Sequence, residues 1–289
     1  MSAGRPEPVL DGLVFPECPR WRDGRLLLSD MPTKQVLELA ADGKVTTFAE
    51  VDLWPMGIGF LPDGSTLVVS MEDCRLLRYD GDTCSEYADL SGVSVGFLND
   101  LVVDGLGRAY ASNTGRDSAR KGERRPANVV LHQEGSAPRA VASGFEISNG
   151  LVVTADGATL VVAETEGARL TAFSIAEDGS LTDRRVFAEL DGEVPNGICG
   201  DAEGGVWVAS HAGRFLRVLD GGRIVESIAA PGDGDRLAVA CALGGDDGRQ
   251  LFLTTAHHMP SYEEMVGEAV DRTGRVDVVT VDVPGAGWP

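Results

Sequence analysis

The chain has 289 residues, 43% of them hydrophobic, with 37 glycines and a formal net charge of −20. That size suits one closed all-β domain over residues 1–289. The charge excludes nucleic acid and anionic membranes as partners, because both require a basic face. Met1 to Pro8 carries no apolar leader segment. No apolar run approaches the roughly 20 residues of a membrane span, so the expectation is a cytoplasmic protein acting on a small molecule. Cys18, Cys74, Cys84, Cys199 and Cys241 have no metal-type spacing and read as free buried thiols in a reducing compartment.

Along the chain, Pro8 to Val14 is a first strand held in reserve for ring closure. Turn glycines then recur at Asp23-Gly24, Asp63-Gly64, Gly107, Asp156-Gly157, Glu203-Gly204 and Asp247-Gly248, a spacing of about 40 to 50 residues. Each is followed by an apolar β segment: Arg25 to Leu28, Thr66 to Val69, Arg108 to Ala111, Thr159 to Val162, Val206 to Val208, and Gln250 to Leu253. Third strands follow, as at Arg75 to Tyr79 and Arg169 to Phe173, and turns such as Asp42-Gly43 and Asp178-Gly179 lead to fourth ones. Four strands in each of about six repeats predict a six-bladed β-propeller. One short helix is expected over Pro260 to Val270, and Arg275 to Val283 is a late strand suited to pair with the first. Such closure removes exposed sheet edges.

The heads of the innermost strands supply Glu17, Asn99, Asn149 and Asn196, each seven or eight residues before its turn glycine. Asn149-Gly150 and Asn196-Gly197 are near copies, and Asn99-Asp100 is an imperfect one. Taken singly, each Asn-Gly reads as a turn. In register on a ring, they and Glu17 converge on the axis as an oxygen-donor site. Such donors suit Ca²⁺, or less specifically Mg²⁺ or Mn²⁺, whereas Zn²⁺ calls for His or Cys. Second-strand ends place Asp30, Glu72, Asn113, Glu164, Glu166, His211, His257 and His258 at the same mouth.

The segments Glu17-Cys18-Pro19-Arg20-Trp21, Phe97-Leu98-Asn99-Asp100, Ile147-Ser148-Asn149-Gly150-Leu151 and Pro195-Asn196-Gly197-Ile198 resemble the senescence-marker-protein-30/gluconolactonase/luciferin-regenerating-enzyme-like family. Cys241 to Asp247 and Leu251 to Ala256 resemble its last blade. The resemblance implies a divalent metal, usually calcium, in the central tunnel of a lactone hydrolase; some relatives cleave organophosphate esters. It makes Glu17, Asn149 and Asn196 direct ligands, and Asn99 a ligand or substrate contact. The sequence departs from the family at two points. Asn196 stands where family hydrolases usually carry Asp, and an amide can act as neither base nor nucleophile near neutral pH. Its lost negative charge should also weaken metal binding. Phe97 stands where sugar-lactone members often carry Arg, which argues for a more apolar substrate.

The base must then come from elsewhere: His211, His257 or Glu166 could serve, and Asp100 is a weaker candidate because it should alternate away from Asn99. Asn99, Phe97, Asn113 and Arg116 are expected substrate contacts. Arg116, Arg120, Lys121, Arg124 and Arg125 form a basic stretch over the mouth, read either as a lid for an anionic substrate or as a solvated loop. The leading reading is a metal-dependent hydrolase of a small lactone or ester. A metal-dependent cyclase, isomerase or lyase is the alternative that Asn196 favours, and a non-catalytic binding propeller is the third.

Overall fold

The computed structural model describes residues 4–116, 124–232, 234–259, 264 and 271–287. Six four-stranded antiparallel sheets form a ring of blades. Their innermost strands are Pro16–Arg22, Pro55–Phe60, Leu98–Val103, Ser148–Val153, Pro195–Gly200 and Leu237–Gly244 for blades 1 to 6. Each packs against the innermost strand of the next blade, and blade 6 returns to blade 1. The N-terminal strand Glu7–Leu13 closes the ring as the outermost strand of blade 6, pairing with Gly274–Thr280. Both closing strands lie within a residue or so of where the sequence places their starts. The helix expected over Pro260 to Val270 falls outside the described residues, save Glu264, which is helical. Residues 117–123 of the basic stretch also lie outside them.

All six turn glycines take positive φ, between 70° and 96°, a region closed to most side chains. In blades 2 to 6 an aspartate ahead of the glycine braces the turn. Asp104 Oδ1 accepts from the Leu106 and Arg108 amides at 2.9 and 3.0 Å. Asp201 Oδ1 accepts from Glu203 and Gly205 at 2.8 and 2.9 Å. Such Asx contacts fix where each hairpin reverses and hence the length of each innermost strand.

The innermost strands share a second device. In blades 2 to 5 the first pair is followed by a bulge: Pro55↔Ser70 then Ile58↔Val68, Leu98↔Asn113 then Leu101↔Ala111, Ser148↔Glu164 then Leu151↔Val162, and Pro195↔Ser210 then Ile198↔Val208. A bulge bends a strand and re-aims its side chains. The residue following the first pair is Met56, Asn99, Asn149 or Asn196. Blade 1 has a register shift after Glu17, and blade 6 has one at Val239.

The next residue explains the Asn-Gly pairs. Gly150 and Gly197 are not turn residues; neither has positive φ. A Cβ on Gly197 would lie 2.4 Å from Ala240 Cβ, one on Gly150 2.6 Å from the Asn196 carbonyl oxygen, and one on Gly57 2.3 Å from the Leu101 nitrogen. These glycines allow neighbouring innermost strands to meet. Apolar layers fill the space between blades, with Phe15, Phe145, Trp207 and Phe215 among the fully buried side chains. Gly197→Ala should cost about 1–3 kcal/mol through overpacking, measured as a lower urea midpoint. An unchanged midpoint would show that the blade 5–blade 6 contact is not rigid.

Candidate active site at the axial mouth

Contacts between non-neighbouring blades can form only near the ring axis, and they locate the site. Asn196 of blade 5 places its Nδ2 3.5 Å from Glu17 Oε1 of blade 1. The same amide nitrogen lies 2.9 Å from His211 Nε2. An amide nitrogen donates, so the imidazole accepts at Nε2 in this arrangement. Asn196 is 1% exposed, and its Oδ1 is buried without a hydrogen-bond partner among the described residues. Burial pushes the Glu17 carboxyl up to about 8, the nearby Asp100 charge adds to the rise, and the Asn196 hydrogen bond opposes it. Burial also pushes the His211 imidazole down, which keeps it neutral near pH 7.

Asn149 completes the set from blade 4. Its Nδ2 donates to Thr165 Oγ1 at 3.1 Å, and among the described residues no hydrogen bond engages its carboxamide oxygen. Asn99 is buried at 5% exposure, and among the described residues no hydrogen bond engages its side chain. At the corresponding bulges, blades 2 and 6 present Met56 and Val239, both buried. Four donors and two apolar residues thus occupy the six equivalent positions, with the apolar ones in the two blades flanking Glu17.

Below the donors lies a pair that sequence reasoning did not join. Asp100, expected to point away, is buried and accepts from Arg20 Nη2 across the axis at 2.7 Å. Asp100 Oδ2 also accepts from the Leu151 amide at 2.9 Å, and Arg20 Nη2 donates to the Leu101 carbonyl at 2.9 Å. One ion pair therefore links blades 1, 3 and 4. Both residues fall inside the quoted motif segments, but nothing local in the sequence pairs positions 80 residues apart.

Several expected mouth residues do other work. Asn113, expected to contact substrate, is fully buried. Its Nδ2 donates to the Asn128 carbonyl at 2.8 Å and to Asn128 Oδ1, and its Oδ1 accepts from the Asn128 and Gly115 amides. With no free polar atom, it braces the strand pair and cannot meet a ligand. Asp30 accepts from the Val14 and Phe15 amides at 3.0 and 2.9 Å. Glu164 accepts from Arg169 Nε at 3.0 Å, from Thr171, and from the Glu146 amide at 3.2 Å.

Glu166, expected as a base, has each oxygen facing an arginine: Arg116 at 3.9 Å, and Arg124 in closer contact. That pairing makes it part of the rim and not a free proton acceptor. His257, the other expected base, is exposed, with Nε2 3.7 Å from Asp235 Oδ2 and no contact with the axial donors. His258 pairs with Glu264 at 3.2 Å. Phe97 is 7% exposed and is held by its amide to the Arg116 carbonyl at 2.8 Å. Of the three expected bases, only His211 reaches the axial donors.

Among the described residues no cluster of three or more His, Cys, Asp or Glu side chains forms. The donor set is instead one carboxylate with carboxamides. Such oxygens fit a hard divalent cation. The buried, unpartnered Asn196 Oδ1 beside a buried carboxyl is what a cation would satisfy, so the residues fit the ion that the resemblance implies. Of the five free cysteines, Cys18, Cys74 and Cys241 are buried as expected, but Cys84 is exposed and Cys199 half-buried. Among the described residues no helix is long and apolar enough to cross a membrane.

Ring, closure and axial donors define a six-bladed β-propeller with an oxygen-lined central site. The chain belongs to the SMP-30/gluconolactonase/LRE-like family, whose sequence model matches residues 15–257. It is similar to a 6-deoxy-6-sulfogluconolactonase of Pseudomonas putida, with 28% identity over 285 residues covering 96% of this chain and 94% of the relative. It is also similar to regucalcin of Xenopus laevis, with 27% identity covering 83% and 82%. In fold it matches the crystal structure of a calcium-binding protein, regucalcin, from Agrobacterium tumefaciens, with a TM-score of 0.80 at 20% identity covering 100% and 97%.

Burial opposes the charge of Glu164, but hydrogen bonds from Arg169, Thr171 and the Glu146 amide outweigh it and hold the carboxyl below its usual range. A depressed value adds stability above the unfolded pKa of about 4.3, and that stability is lost as pH falls through the folded value. Glu164→Gln should therefore cost about 1–3 kcal/mol at pH 7, with the gap to wild type narrowing below about pH 4. Paired urea titrations across pH would check this; a gap independent of pH would show that the charge is not what matters.

Proposed function

We propose that the protein is a hydrolase of a small lactone or related ester, using a divalent cation, calcium first, held by Glu17, Asn149 and Asn196. The observation that carries the reading is the buried meeting of Glu17, Asn196 and His211 on the axis. The family and the lactonase relative support the reaction class, and the regucalcin relatives support the metal. When bound, the cation would act as a Lewis acid toward the scissile carbonyl.

The chain's own residues supply the rest. Asn99, free of internal hydrogen bonds among the described residues, serves as a further ligand or orients the substrate. Asn196 cannot take a proton, so the base is His211, a neutral imidazole at the ligand set. Its Nε2 accepts from the Asn196 amide and exchanges that bond for one from the attacking water. Phe97 puts a buried apolar side chain two residues before Asn99, where sugar-lactone members often carry Arg, which favours a substrate less polar than a sugar acid. The substrate is a small molecule, and the chain's −20 charge is unsuited to polyanionic partners.

Chelation should abolish lactone turnover, and Ca²⁺ should restore it better than Mg²⁺ or Mn²⁺. His211→Gln should lower kcat by about 10²–10⁴-fold with metal content unchanged. Asn196→Asp should tighten metal binding and keep or raise lactonase activity. Metal content and kinetics over a lactone panel decide the matter. Turnover unaffected by chelator, or by His211→Gln, would overturn the mechanism. Stoichiometric metal without any lactone or ester turnover would transfer the site to a non-hydrolytic reaction.

A further inference from the structure

At the opposite end of the tunnel from the axial donors, two thiols stand together. Cys199 is on the innermost strand of blade 5 and Cys241 on that of blade 6. Their sulfurs are 3.7 Å apart, with the Cys199 thiol donating to the Cys241 sulfur. The Cys241 thiol in turn donates to the Trp207 carbonyl at 3.6 Å. The two strands pack closely beside them, where a Cβ on Gly197 would fall 2.4 Å from Ala240 Cβ. Cys241 is 1% exposed. Cys199 is half-buried and lines an open cavity of about 480 Å³ with Arg20, Trp21, Phe60, Val103 and Leu243.

The geometry points to Cys199 and Cys241 as a reversible dithiol–disulfide site, oxidised through this cavity by a low-molecular-weight disulfide. Closing the bridge to about 2.05 Å asks for a movement of under 2 Å, shared between two side chains on strands that are already packed. In the first step the Cys199 thiolate attacks one sulfur of the oxidant, forming a mixed disulfide and releasing one thiol. In the second, Cys241 attacks Cys199 Sγ and releases the other. Two cysteine S–H bonds and the oxidant's S–S bond are lost. One protein S–S bond forms, and two protons and two electrons pass to the two released thiols.

Only the first step needs an approach from outside, and the half-buried Cys199 lines the cavity that would admit it; the second is internal, which the buried Cys241 suits. Burial pushes the Cys199 thiol well above its ordinary range, and the hydrogen bond to Cys241 adds to this. Little thiolate is therefore present at neutral pH, and the exchange runs on the slow side of the usual seconds-to-hours scale. The bridge would join blade 5 to the closing blade 6 three residues along the strand from Asn196. The inference is independent of the reaction assigned to the other mouth.

The test uses the full chain carrying Cys84→Ser, which removes the exposed thiol and leaves four of the five cysteines. After incubation with hydroxyethyl disulfide, thiols are alkylated under denaturing conditions and counted, and the peptides are mapped. Two of the four thiols should be lost, with one linked pair of peptides joining Cys199 to Cys241, reversed by dithiothreitol. Adding Cys241→Ser should halt the reaction at a mixed disulfide on Cys199, and adding Cys199→Ser should leave the remaining three thiols intact. If either added variant fails to fold, the peptide map of the Cys84→Ser parent decides. Retention of all four thiols, a mixed disulfide on Cys199 that never closes, or a bridge between other cysteines would overturn the proposal.

Discussion

Six innermost strands must share one narrow axis, and the rest of the molecule adjusts to that crowding. Where Gly57, Gly150 and Gly197 stand, a single methyl group would fall 2.3 to 2.6 Å from the next blade. The bulge before each of these glycines turns one side chain out of the strand pairing. The bulged residue and the following small one thus act together: one re-aims a side chain, and the other allows the approach that brings side chains from separate blades within reach. Without the approach, Glu17 and Asn196 would not come within 3.5 Å across an intervening blade.

Crowding also sets the electrostatics. A buried carboxyl with Met56 and Val239 at the equivalent positions of the two flanking blades cannot readily hold charge unaided, which is why burial dominates at Glu17. The Arg20 guanidinium beneath it is committed to Asp100 and to the Leu101 carbonyl, and Asp100 also accepts from the Leu151 amide, so the pair ties blades together without offering Glu17 a free cation. A divalent ion on the carboxylate and carboxamide oxygens would answer that need. A strongly acidic chain suits a cation ligand, and in the proposed mechanism the His211 imidazole would be the proton acceptor that the Asn196 amide cannot be.

The mouth is less rich in free donors than strand alternation suggests, and the reason is structural. Asp30, Glu164 and Ser210, at the ends of second strands, each accept from a backbone amide just ahead of the innermost strand of the same blade. Buried amides without strand partners need acceptors, and a side chain at that position is the nearest one available. Asn113 performs a related task against Asn128. The same position in the repeat that seemed to furnish ligands in fact holds the blade entrances, which leaves the axis itself as the place where donors stay free.

Repeat length, turn glycines and apolar strand patterning determined the six blades, because these signals are local and periodic. The equivalence of Glu17, Asn99, Asn149 and Asn196 followed from counting back from each turn, since strand length fixes that offset. Closure by the two chain ends was legible because each carried an unpaired strand. What only the tertiary structure decided was which polar residues remain unspent. Asn113 and Asn99 look alike in sequence, yet one is saturated and the other open, because hydrogen-bond partners come from segments remote along the chain. The Arg20–Asp100 pair, the choice of His211 over His257 and Glu166, and the meeting of Cys199 with Cys241 all depend on contacts between separate strands or blades. Distances across a closed ring are set by how tightly its strands pack at the axis, and no local pattern encodes that.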